Sequence, residues 1–169
     1  PSTLLAGSLG TGKTLLALYY ALAGIRAGER VVFLGFRETR DQLIQAAAPF
    51  SIGAALVRAL EPDGGLTFLE TPPIKLNADI LADRVLTAID AVGAHRLVID
   101  SIAEIEQAIL RSLDPERLAD YMAALLSAMR TRDVTALFIK ETDKALTTSL
   151  DLSADALSIL AECMILLQH

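Results

Sequence analysis

"TLLAGSLGTGKTLLALYYALAG", residues 3–24, runs from an apolar stretch through a glycine-rich loop into a helical pattern. Residues 7–14 of it, "GSLGTGKT", match the pattern G-x-x-x-x-G-K-[ST] in full, in the strand-to-helix context that the pattern requires. Glycines let the backbone curl so that successive N–H groups face a polyphosphate, and the helix start adds a favourable dipole. Gly7, Ser8, Leu9, Gly10, Thr11, Gly12, Lys13 and Thr14 are therefore the candidate nucleotide contacts. Lys13 has the reach for the β- and γ-phosphates, and Thr14 can offer its hydroxyl to Mg²⁺. A dinucleotide or flavin reading fits poorly, because it gives the Lys-Thr pair no role.

Outward from this loop, apolar runs alternate with helical patterns. Strands are predicted over 3–6, 31–36, 66–69, 96–100, 135–139 and 163–167. Helices are predicted over 13–27, 39–48, 78–92 and 115–132, with Asp114 as N-cap and Pro115 as the first helical residue. Such alternation implies a three-layer α/β fold, a mostly parallel central sheet flanked by helices. "EPDGG" at 61–65 and "TPP" at 71–73 read as loops, and 142–153 as a flexible one. One domain spans 1–169, and both ends read as cut from a longer chain.

Parallel strands present ligands at their carboxyl ends. "RLVIDS", residues 96–101, ends an apolar strand on Asp100, the expected second metal residue beside Thr14. Ser101 follows, where some ATPases carry a catalytic glutamate, so a base for water must come from another strand end. "VVFLGFRET", residues 31–39, offers Glu38. Arg37 stands beside it, and consecutive strand residues point to opposite faces, so both cannot aim at one phosphate without a bend. A solvated rim made of the two is the other reading. Glu104 and Glu106 are expected to face solvent, and Tyr19 and Tyr20 to pack.

The stretch 4–44, with "LNADILADRVLTAIDAVGAHRLVIDSI", "TALFIKET" and "CMILLQH", resembles the KaiC-type ATPases of the RecA superfamily along nearly the whole chain. The resemblance implies a RecA-like fold, ATP with Mg²⁺, and a hexameric ring with nucleotide between subunits. It also implies basic residues from a neighbouring subunit, on a strand beyond His169, and a regulatory protein partner. KaiC-type domains usually carry two adjacent glutamates after the second strand, whereas this chain has Arg37 and Glu38. Hydrolysis survives if Glu38 suffices as base; otherwise the domain is a nucleotide-gated binder. The resemblance implies a γ-phosphate sensor at Glu141 or Thr142, with a plain strand end as the other reading. By the same resemblance Ser158 falls on the serine of an autophosphorylated pair, with Ile159 in place of the threonine; a serine on a short helix or loop without that role is the favoured reading.

The bulk composition agrees with a covered sheet: 53% hydrophobic residues, with a mean hydropathy of +0.46. The longest apolar run, "LLALYYALAGI" at 15–25, is short of the about 20 residues that cross a bilayer. No basic segment precedes it and no cleavage pattern follows, so a cytoplasmic protein is expected. Cys163 is the single cysteine and His95 and His169 are the only histidines, which argues against disulfides and zinc or histidine metal sites. A net charge of −6 offers no general attraction to nucleic acid or anionic membrane. A DNA recombinase or helicase motor would need basic loops after Asp100 and Glu141. Residues 101–118 have no excess of base over acid, and 142–155 hold one lysine, which argues against a motor of that kind.

Overall fold

The structure is a computed structural model that describes residues 1–72, 76–110, 116–142 and 161–168. Six parallel strands form one sheet: β1 (Ser2–Gly7), β2 (Val31–Gly35), β3 (Leu66–Glu70), β4 (Arg96–Asp100), β5 (Thr135–Glu141) and β6 (Cys163–Leu167), in the order β3-β2-β4-β5-β1-β6. The helices are α1 (Lys13–Arg26), α2 (Arg40–Ala47), α3 (Gly53–Ala59), α4 (Ala78–Val92), α5 (Ile102–Leu110) and α6 (Glu116–Thr131). This is the three-layer α/β arrangement that the alternation implies.

Strand alternation sorts the core into two clusters, one on each face of the sheet. Leu4, Val32, Leu34, Leu97, Ile99 and Phe138 point toward α4, α5 and α6, where they meet Leu81, Val85, Ile105 and Met122. Leu5, Val31, Phe33, Val98, Leu137 and Ile139 point the other way, onto α1, α2 and α3. Both faces are therefore apolar, which is why these strands read as continuous apolar runs. Phe138 is 0% exposed in a central strand. Phe138→Ala is expected to lower the unfolding free energy by about 3–5 kcal/mol, because the surrounding sheet and helices cannot close on the cavity. Urea denaturation of the variant checks this, and a loss below about 1 kcal/mol would contradict the packing described.

Helix starts follow local chemistry. Thr39 caps α2 in a capping box: its hydroxyl accepts from Gln42 N, and the Gln42 side chain accepts from Thr39 N at 2.8 Å. Asn77 caps α4 through bonds from Asp79 N and Ile80 N. The helix α3 carries no such signal, since Ile52 is its N-cap without a side-chain bond. It is absent from the sequence reading, as is α5. The Asp114–Pro115 start lies outside the described residues, and so does most of the loop expected over 142–153.

The expectation that Glu104 and Glu106 face solvent is overturned. Both belong to α5, which packs its Ile102, Ile105 and Ile109 against the sheet. Lys140 Nζ donates to both Glu106 oxygens at 2.9 Å, with the two side chains only 20% and 13% exposed. Glu104 is buried and turns to Arg37. Tyr20 packs as expected, with the Arg96 guanidinium 4.6 Å above its ring and its hydroxyl donating to Thr135 O at 3.2 Å. Among the described residues, no helix is long and apolar enough to cross a membrane.

Candidate functional site

The carboxyl ends of β1, β2, β4 and β5 meet at one edge of the sheet, since Gly7 pairs with Glu141, Gly35 with Asp100 and Asp100 with Ile139. A cavity of about 380 Å³ opens there, lined by the loop after β1, the exit of β2 and the tips of β4 and β5.

The loop between β1 and α1 takes its shape from three glycines. Gly10 and Gly12 hold φ of +81° and +82°, in the left-handed region that side chains resist. Gly7 is needed for a different reason: a Cβ there would lie 2.7 Å from Leu167 O and 2.8 Å from Thr11 Oγ1. The absence of that carbon lets β6 and the loop close on each other. Thr11 Oγ1 donates to Ser8 O at 2.9 Å, which tightens the turn.

Lys13 is buried at the start of α1, and its ammonium donates to Gly7 O at 2.8 Å and Ser8 O at 2.6 Å. Burial pulls its pKa below the ordinary lysine value, opposed by the charges of Glu141 and Asp100. Thr14 Oγ1 donates to Asp100 Oδ2 at 2.6 Å, across the tip of β5. Burial pushes the Asp100 carboxyl up to about 6, although the bond from Thr14 works the other way.

Arg37 and Glu38 both line the cavity. The alternation that would send them to opposite faces does not apply, because β2 ends at Gly35 and the chain bends before the capping box of α2. Arg37 donates from Nε to Glu104 Oε1 at 3.0 Å, and its Nη1 lies 3.4 Å from Glu141 Oε2. These contacts hold its guanidinium above its ordinary pKa, the bond to Glu104 first among them.

Of the residues singled out by sequence, Leu9, Gly10, Gly12, Lys13, Thr14, Glu38, Asp100 and Glu141 share the cavity lining. Gly7 and Ser8 reach it through their carbonyls on Lys13, whereas Thr11 braces the loop. Thr142 sits at the edge, its N–H donating to Gly7 O at 3.0 Å. Ser158 lies outside the described residues. Phe50 is an addition that the sequence reading lacks, and Glu104, expected there to face solvent, joins the site through its bond from Arg37. Phe50, 46% exposed, adds an apolar side chain to the cavity lining.

The donor set suits one metal in particular. Thr14 and Asp100 supply adjacent hard oxygens, and no group of three or more His, Cys, Asp or Glu that could hold a metal occurs among the described residues. A hydroxyl and one carboxylate leave most positions to phosphate and water, the manner in which Mg²⁺ is usually held.

A phosphate-type loop on the first strand of a parallel sheet, with an acidic strand tip against its threonine, is the arrangement of a P-loop domain. The chain belongs to the KaiC family of ATPases, whose family model matches residues 1–169. It is similar to the circadian clock protein KaiC3 of Synechocystis sp., 26% identical over 144 residues, covering 85% of this chain and 27% of that protein. The circadian clock oscillator protein KaiC of Picosynechococcus sp. is 24% identical over 166 residues, covering 98% and 31%. The one from Acaryochloris marina is 33% identical over 115 residues, covering 63% and 22%. This chain therefore spans between 22% and 31% of the length of these three relatives.

Proposed function

We propose that this domain binds MgATP and hydrolyses it slowly as one unit of a ring-shaped oligomer, where its nucleotide state regulates a protein partner. One observation carries the reading: Thr14 and Asp100 meet at 2.6 Å while Lys13 lies between the loop carbonyls and the cavity. In this arrangement the loop N–H groups and Lys13 hold the phosphates, and Thr14 and Asp100 hold Mg²⁺. The metal supplies charge neutralisation to the β- and γ-phosphate oxygens when bound. Leu9 and Phe50 offer apolar surface for the base. Glu38, half-buried at the same cavity, orients water and accepts its proton.

Turnover also depends on what a neighbouring subunit contributes. An arginine finger supplied in trans is worth about 10³–10⁵ in rate, so a domain outside its ring lacks most of its activity. The relatives' names place them in circadian clocks, which supports a regulatory role over a motor. Phosphate release by the full-length protein tests the proposal. Slow turnover that stops when EDTA removes Mg²⁺ is the expected result, and turnover indifferent to EDTA would contradict it.

A second reading, a nucleotide-gated binder with little turnover, is favoured by Arg37. It stands beside Glu38 where KaiC-type domains usually carry another glutamate, leaving one carboxylate on that loop for water.

The position of Asp100 sets a pH dependence. Its folded pKa of about 6 lies above the ordinary carboxylate value. The folded protein thus binds more protons than the unfolded chain between about pH 4 and 6, and this group's contribution to stability falls as pH rises through that window. Metal binding needs the ionised form, so the gain in ATP affinity from Mg²⁺ is expected to shrink below pH 6 and level off above 7. Titrations from pH 5 to 8 check this. In Asp100→Asn the step should shrink to what ionisation of the terminal phosphate itself contributes, and an unchanged step there would remove Asp100 from metal binding.

A further inference from the structure

We propose that Arg37 senses the terminal phosphate of a bound nucleoside triphosphate: Glu104 positions its guanidinium, and Glu141 holds the remaining edge until phosphate takes its place. This rests on the reading of residues 7–14 as a nucleotide cradle.

An arginine whose side chain is 56% exposed at a strand exit is ordinarily part of a solvated rim, where ion pairs contribute little. Two features set Arg37 apart. The Glu104 side chain is only 10% exposed, and a carboxylate so far from water needs a cation. Arg37 provides it from one edge of its fork, with Nε and Nη2 each 3.0 Å from the same Oε1. That edge is committed and fixes the plane of the guanidinium.

The remaining contact differs in kind. Nη1 lies 3.4 Å from Glu141 Oε2, and Glu141 is 37% exposed. This bond is long, wet and easily exchanged. Glu141 also acts electrostatically on Lys13, so its carboxylate lies under the influence of two cations, Arg37 and Lys13. All three residues line one cavity. A carboxylate flanked in this way marks a place where an anion is stabilised.

A triphosphate gripped by Lys13 carries its terminal group toward that place. Like charge drives Glu141 aside, and Nη1 becomes a donor for a phosphate oxygen, a pairing for which the planar fork is suited. A diphosphate has no group that extends so far, and Arg37 stays with Glu141. The residue that departs from the usual glutamate pair thereby distinguishes triphosphate from diphosphate within one chain. Glu104 acts only through Arg37 and is a positioning residue.

Calorimetric titration of the full-length protein with MgATP and with MgADP, in wild type, Arg37→Gln and Glu104→Gln, tests this. Arg37→Gln is expected to weaken MgATP by about tenfold or more while MgADP stays within about twofold. Glu104→Gln should shift the same ratio in the same direction by less, which a purely structural role for Glu104 would not do. Arg37→Lys keeps the charge without the fork and should recover part of the ratio, which guards against a misfolded glutamine variant. Equal losses for both nucleotides, or no loss for either, would overturn the assignment of Arg37 while leaving the cradle intact. Absence of MgADP binding in wild type would instead overturn the cradle, and this inference with it.

Discussion

Lys13→Ala in the full-length protein is expected to weaken MgATP binding by at least about a hundredfold, equivalent to about 2.7 kcal/mol. The reason lies in how the ammonium is held. It is buried at the start of α1, and its desolvation, which lowers its pKa, is only partly offset by Glu141 and Asp100. Its bonds to Gly7 O and Ser8 O shape the loop from below while leaving it on the cavity lining. A phosphate is the partner that offsets the remaining cost, through charge-assisted hydrogen bonds to a lysine that is itself buried. The desolvation cost of the cation and its two bonds to the loop carbonyls oppose each other, so its removal should leave the urea midpoint within a narrow range of wild type. Loss of binding with an unchanged midpoint therefore separates a lost contact from a lost fold. Binding within threefold of wild type would show that the loop holds its ligand without the lysine.

Glu38→Gln is expected to lower steady-state phosphate release from the assembled protein by about 10²–10⁴-fold, the usual worth of a general base. Affinity for MgATP should stay near wild type or tighten, because the change removes a negative charge beside phosphate without altering side-chain length. The capping box of Thr39 and Gln42 holds the chain immediately after Glu38, so the loop has little freedom to respond to the exchange. Equal rates in both proteins would take Glu38 out of catalysis and leave the nucleotide-gated binder as the better account. The comparison belongs in the assembled protein, since outside a ring the missing arginine would mask the base.

The cradle was legible because its chemistry is local: three glycines, a lysine and a threonine at fixed spacing between a strand and a helix. Asp100 was legible for a related reason, as an acid ending an apolar run that reads as a strand. The helix α3 was not, because its entry at Ile52 carries no capping side chain and its seven residues span barely two turns. Glu106 left a signal that went unread. At helical spacing it falls within the stripe of Ile102, Ile105 and Ile109, and a carboxylate there requires a partner such as Lys140. Glu104 falls opposite that stripe, and its burial against Arg37 depends on how the exit of β2 crosses the start of α5. No pattern along the chain encodes that crossing. The side-by-side placement of Arg37 and Glu38 in one cavity has the same origin. Alternation has no force beyond Gly35, the last strand residue, because the chain bends at Phe36 and Arg37.

The most direct test of this account is a calorimetric titration of the full-length protein with ATP, run once with magnesium and once with EDTA. The cradle and the Thr14–Asp100 pair predict saturable binding with magnesium and clearly weaker binding without it. No detectable heat in either titration, with the protein folded throughout, would contradict the claim that this sheet edge is built to hold a nucleoside triphosphate.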